Sequence, residues 1–365
     1  MLKIKELIQE IEEYAPLPLQ EDYDNAGIQV GDVNQLATGA LITLDVTEDV
    51  VDEAIDLGCN LIISHHPLIF KPIKSLKGTN YVERCIIKAC KHDIVIYSAH
   101  TNLDNVKGGV NFHLANLIGL QNIRVLSPKK NALLKLVTFV PEASFELVRT
   151  ALFNSGGGTI GKYDSCSFSL TGEGSFRANE DCNPFCGETG ELHTEKEVRI
   201  ETILSAFKKG AITRALLSVH PYEEPVFDFY PLSNAWNEAG SGIVGVLPEA
   251  EDEQAFLARI KTLFNVGCIK HSSLSGKPIR EVALCGGNGA FLINEAIAYD
   301  ADVFITGEAK YNDYYDVEGR ILLAVIGHYE SEANTKDIFY NIISKKFSTF
   351  AVHFSNVNSN PVKYL

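Results

Sequence analysis

Residues 60–67 read Asn-Leu-Ile-Ile-Ser-His-His-Pro. A short continuous apolar run bounded by polar groups, here Leu61-Ile62-Ile63, is the mark of a strand buried on both faces, as in a parallel sheet covered by helices. The segments on either side continue the pattern. Leu2–Tyr14 spaces Leu and Ile at helical intervals, Ala40–Leu44 is a short apolar strand and Glu48–Leu57 is a helix. Tyr81–Lys91 (helix), Asp93–Ser98 (strand) and Gly109–Ile118 (helix) follow, so residues 1–127 read as an α/β half. The expectation is a mostly parallel, two-sided sheet.

Beyond it, residues 128–236 change character. Strand Leu133–Val140, helix Ser144–Asn154 and strand Ser165–Leu170 lead into a Gly-, Asn- and Cys-rich excursion. A strand near Glu197–Thr202, a helix near Ser205–Leu217 and a strand Val226–Tyr230 complete a β-α-β-β-α-β order, that of a ferredoxin-like α+β domain. From Gly242 the α/β pattern resumes, with strands at Ile243–Leu247, Val282–Cys285, Val303–Thr306 and Leu322–Ile326. Residues 237–365 therefore read as the second half of one α/β body, split by an insert.

The chain has 365 residues, enough for two or three domains, and a net charge of −15. That acidity argues against general nucleic-acid binding. No apolar run approaches the ~18 residues a membrane helix needs, which argues against a membrane partner. The amphipathic N-terminus lacks the apolar region of a signal peptide. Eight dispersed cysteines suit reduced thiols better than a disulfide framework. The expected location is the cytoplasm.

Three polar clusters follow buried strands, where open α/β sheets bind ligands. His65-His66 follows the first. Two adjacent imidazoles suit neighbouring metal ions, and equally a His pair bonded to a loop. Ala99-His100-Thr101-Asn102-Leu103-Asp104 follows the second. Asp104 is placed either to bridge two cations or to cap the next helix. His100 fits a ligand, a support for ligands or a substrate contact. Gly327-His328-Tyr329-Glu330-Ser331-Glu332 follows the third. On a helix His328 and Glu332 are i and i+4 on one face, able to share a metal or to form a solvated acidic turn. Together the clusters offer His65, His66, Asp104, His328 and Glu332. This mixed N/O set suits two divalent transition-metal ions (Zn, Fe, Mn, Co or Ni) better than Ca or Mg.

The stretches SHHPLIF, AHTNLD, GHYESE and DYDNAGIQVGD resemble the NIF-three-like family, the GTP cyclohydrolase I type 2 homologues. The resemblance extends through the insert at GGTIGKYDSCSF, GEGSFR and HPYEEPVFDFYPL. It implies a split α/β body with an inserted PII/CutA-like domain and a toroidal homohexamer. Its two-metal site falls on the same five residues. The implied activity is ring opening of a nucleotide by metal-activated water, with His100 a possible helper. The alternative is a non-catalytic regulatory or metal-handling protein. One departure stands out: TGEAKYND (306–313) has Glu308 where the family pattern has Asp and Asn312 where it has His, which leaves a supporting or proton-transfer role open at both positions.

Other signals are weaker. Gly240–Gly245 fits G-x-G-x-x-G without the dinucleotide context and reads as a loop entering a strand. Cys285-Gly286-Gly287-Asn288-Gly289 suits either an anion turn or close helix packing. Cys166, Cys182, Cys186 and His193 have only tolerable zinc spacing in a loose loop. His220–Pro225 reads as structural, as do His92, His113, His271 and His353.

Overall fold

A computed structural model describes residues 2–365. The chain divides into two compact units, one made of Met1–Ser127 with Ala239–Leu365 and one of Pro128–Glu238.

The first unit contains two sheets where the sequence suggested one. In the first, strands Ala40–Thr43, Leu61–Ser64 and Val95–Ser98 run parallel. Val352–Phe354 joins one edge in parallel and Gly27–Val30 the other edge antiparallel. In the second sheet, Ile279–Cys285, Val303–Thr306 and Leu322–Val325 run parallel. Lys270–His271 and Trp236–Glu251 flank them antiparallel, with Gln121–Lys129 outermost.

Strand periodicity explains the layering. Ile42, Leu61, Ile63, Val95 and Tyr97 of the first sheet and Val282, Leu284, Val303, Ile305, Leu322 and Ala324 of the second enter one shared core. Four helices also pack into that core: Ile4–Tyr14, Val110–Ile118, Glu253–Leu263 and Thr335–Lys346. The alternate residues point outward, as period-2 geometry requires. Leu41, Ile62 and Ile96 pack on helices Glu48–Asp56 and Tyr81–Lys91. Ala283, Phe304 and Leu323 form a third cluster with helix Ile293–Ala298. Thr47 and Asn80 cap the two outer helices of the first sheet by accepting the Val50 and Glu83 N–H groups.

The second unit has the order β-α-β-β-α-β. Its strands are Leu133–Pro141, Ser167–Arg177, Leu192–Ser205 and Phe227–Pro231, antiparallel throughout and arranged 2-3-1-4. Leu136, Val140, Val198, Ile200 and Leu204 face helices Phe145–Asn154 and Lys209–Val219. The opposite face is free of helices. The Gly- and Cys-rich excursion is the loop 178–191 of the long hairpin.

One reading is corrected. Gly240–Gly245 is not a loop entering a strand; it lies inside strand Trp236–Glu251. Glycine tolerates the irregular backbone there, with φ of 150° at Gly240 and 63° at Gly242.

Candidate metal centre

Each parallel strand of the body ends in a polar turn, and these carboxyl ends converge. From the first sheet come Asp45, His65, His66 and His100. From the second come the Gly286-Gly287 turn, Glu308 and His328. The helix His328–Glu332 then returns Glu332 to the middle of the cluster.

Fully buried His65 donates Nδ1–H to the Ala99 carbonyl at 2.9 Å. Its Nε2 therefore carries the lone pair and points inward. It lies 3.6 Å from Asp104 Oδ1 and 3.8 Å from Glu332 Oε1, too far for hydrogen bonds, and it has no partner among the described residues. A buried nitrogen acceptor without a donor is costly and marks a place for a cation. Burial also lowers the His65 pKa.

His66 sits between two acids. Its Nδ1 meets Asp45 Oδ1 at 2.7 Å and its Nε2 meets Glu332 Oε2 at 2.9 Å. Burial alone would lower its pKa, but these two carboxylates raise it to about 10. His328 follows the same logic. Its Nδ1 meets Glu308 Oε1 at 2.9 Å, and its Nε2 lies 3.2 Å from Glu332 Oε2 and 3.3 Å from His66 Nε2. Burial opposes, yet Glu332 and Glu308 raise its pKa to about 9.

The two inner carboxylates diverge. Desolvation and the neighbouring Glu332 charge push Asp104 well above the usual carboxylate range. Glu332 is also desolvated, but the His328, His65 and His66 rings around it hold it well below that range. Donor atoms within 4.8 Å of one another form three overlapping groups: His65, His66 and His100; His66, His328 and Glu332; and His65, Asp104 and Glu332. The five residues singled out in the sequence are thus brought together, and His100 joins them.

Three supporting acids were not singled out as supports. Asp24 accepts from His100 Nδ1 at 2.7 Å and from the Thr101 N–H and hydroxyl. Asp24 is desolvated, but these bonds hold its pKa at about 2. Asp45 anchors His66, and Glu308 anchors His328. An oxygen thus fixes the outer nitrogen of every histidine, the arrangement that orients metal ligands. Asn312 is absent from this set; it precedes the short helix Asp313–Asp316. The only sequence clue to Asp24 was its place in DYDNAGIQVGD.

The glycine turn completes one wall. Gly287 has φ +59°, and a Cβ there would lie 2.3 Å from Glu332 Oε1. Gly286 N–H donates to Asn111 Oδ1, whose amide donates to the Asp104 carbonyl. A cavity of about 430 Å³ opens beside the cluster, with Tyr23, Phe70, Asn288 and Phe291 among its lining.

Residues 2–361 match the model of Duf34/NIF3, NGG1p interacting factor 3. The chain belongs to the DUF34/NIF3 family. It is 41% identical over 311 residues to the GTP cyclohydrolase 1 type 2 homolog of Halalkalibacterium halodurans, covering 85% of this chain and 84% of that one. It is 36% identical to the Bacillus subtilis protein of the same name, covering 99% and 98%. The crystal structure of a Bacillus cereus protein related to NIF3 superposes with a TM-score of 0.85 at 37% identity, over 100% of this chain and 99% of that one. Among the described residues of this DUF34/NIF3 protein, no helix is long and apolar enough to cross a membrane.

Proposed function

We propose that the cluster holds two divalent transition-metal ions and that the protein is a metal-dependent hydrolase acting on a nucleotide-type substrate. The observation that carries this reading is the buried, unpartnered Nε2 of His65 beside Asp104 and Glu332. His65, His66, Asp104, His328 and Glu332 would hold the ions, and an N/O donor set of this kind suits Zn, Fe, Mn, Co or Ni. When bound, such ions supply Lewis acidity and water acidic enough to ionise near neutral pH.

The chain's own groups do the rest. Asp24 holds His100 by Nδ1, leaving the other ring nitrogen to take or give a proton in the cavity. The cavity has the size of a small-molecule site. Tyr23, Phe70 and Phe291 at its margin are 66%, 47% and 63% exposed, offering aromatic faces to a base. The relatives' name, GTP cyclohydrolase 1 type 2 homolog, supports a nucleotide. The insert's strand order supports a PII/CutA-like module, and with it assembly into a toroidal homohexamer, to be checked by light scattering. Eight free thiols support a reducing, cytoplasmic setting.

One observation favours a second reading, regulatory or metal-handling: the insert has a cleft of about 830 Å³, larger than the cavity at the metal cluster. Metal analysis of protein purified without added metal, with a nucleotide and phosphoester panel, separates the two. The first reading expects about two ions per chain and turnover lost on chelation. Silence across the panel with measurable metal exchange supports the second reading. Turnover that survives exhaustive chelation and Asp104→Asn ends the hydrolase reading.

A further inference from the structure

The helix-free face of the insert sheet carries a second donor cluster. His193 and Glu195 are two residues apart on strand Leu192–Ser205 and so project from the same face. His193 Nε2 lies 3.0 Å from Glu195 Oε2. The loop 178–191 folds back over them and brings in Cys186. Its Sγ, the His193 nitrogen and a Glu195 oxygen all lie within 4.8 Å of one another. This contact depends on Gly187. Its φ is +80°, and a Cβ there would fall 2.8 Å from His193 Cβ and Cγ, so the loop can descend onto the imidazole only at glycine. The ring is backed by Phe176, with centroids 5.4 Å apart.

We propose that Cys186, His193 and Glu195 form a separate site for a single divalent ion of the zinc class. Thiolate, imidazole and carboxylate are the three donor types zinc accepts, and three protein ligands leave a fourth position for water or a ligand. Cys186 loses its thiol proton to solvent on binding, as thiolate ligation requires. The insert cleft is adjacent: Tyr222 and Glu197 line it, Tyr222 donates to Glu197 Oε1 at 2.7 Å, and the Cys186 thiol lies against Tyr222 and Glu195. Of the four residues whose sequence spacing suggested zinc, Cys186 and His193 take part and Cys166 and Cys182 do not. Glu195 replaces them, from a position that a Cys/His spacing rule does not search.

The site has sulfur and the body cluster does not, so a sulfur-specific signal tells them apart. The experiment titrates Co²⁺ into the reduced, metal-free full chain and records thiolate-to-Co²⁺ charge-transfer absorption in the near ultraviolet. The expected result is a saturable band, kept in His66→Ala and Glu332→Ala. It is lost in Cys186→Ser and appears only at higher Co²⁺ in Glu195→Gln. Circular dichroism checks that each variant is folded. Should Cys186→Ser fail to fold, the Glu195→Gln titration decides, and an unchanged midpoint there overturns the proposal. No band in the wild-type chain, or a band undiminished in folded Cys186→Ser, also overturns it. Neither result bears on the body cluster.

Discussion

His66 shows what a single residue contributes to the centre. It lies between Asp45 and Glu332, and both carboxylates favour its charged form in the metal-free protein. Its pKa of about 10, and that of about 9 for His328, lie above the unfolded value of about 6.5. The stability these two groups give the metal-free chain is thus fully present below about pH 6.5 and is lost as pH rises through 9 to 10. Metal affinity moves the other way, because a proton must leave each imidazole before it can ligate. The melting midpoint of chelated protein should therefore fall from pH 7 to pH 10, while that of metal-loaded protein holds. Parallel pH profiles for both forms would count against the site. Asp45→Asn separates two effects. Losing the charge weakens His66 as a ligand, and supporting carboxylates are worth about 10–100-fold in metal affinity. It also removes proton competition, so the loss read in a chelator titration should be largest at alkaline pH and shrink toward neutral. The histidines were legible in the sequence because each follows an apolar strand. Asp24 and Asp45 were not, because they reach His100 and His66 from 76 and 21 residues away.

At the scale of elements, the runs LIIS, VFIT and LLAV were legible because both of their faces are buried. Gly27–Val30 and Val352–Phe354 were not. They are edge strands with exposed positions and no alternation long enough to read. Gln121–Lys129 is mostly polar and contains Pro128, so nothing local marks it as a strand. The Gly286-Gly287 turn was legible as tight but ambiguous in purpose, and its geometry gives a paired test. Gly287→Ala imposes a left-handed residue costing about 1–2 kcal/mol and drives a methyl into the Glu332 carboxylate. Gly286→Ala meets only ordinary contacts of 3.4–3.5 Å with Leu114, Glu332 and Ser331. Gly287→Ala should lose metal and melt lower, and Gly286→Ala should keep both properties near wild type. Equal metal content in the two would show that the turn does not shape the Glu332 site.

Across the whole molecule, the insert's β-α-β-β-α-β element order could be read from sequence, though not its pairings, since Leu133–Pro141 bonds to Phe227–Pro231 far along the chain. The two-sheet body could not, since pairings such as Val352–Phe354 with Ala40–Thr43 join distant segments. The same long-range pattern makes a strong prediction. The central core draws on both halves: Ile4, Leu7, Ile63 and Tyr97 from one, Phe256, Ile305, Leu322 and Phe339 from the other. Each large apolar side chain buried there contributes about 1.5–3 kcal/mol, so neither half should fold without the other. The insert has its own buried cluster and adds nothing to that core. Excising Pro128–Glu238 and joining Ser127 to Ala239 by a short Gly-rich linker should therefore leave a body that unfolds cooperatively. It should retain the ions held by His65, His66, Asp104, His328 and Glu332 and lose the sulfur-linked Co²⁺ band. The isolated insert should show the reverse. A body that is unfolded after excision would mean the sheet edge at Gln121–Lys129 and Trp236–Glu251 needs the insert to close it, and the two units would then be one folding unit.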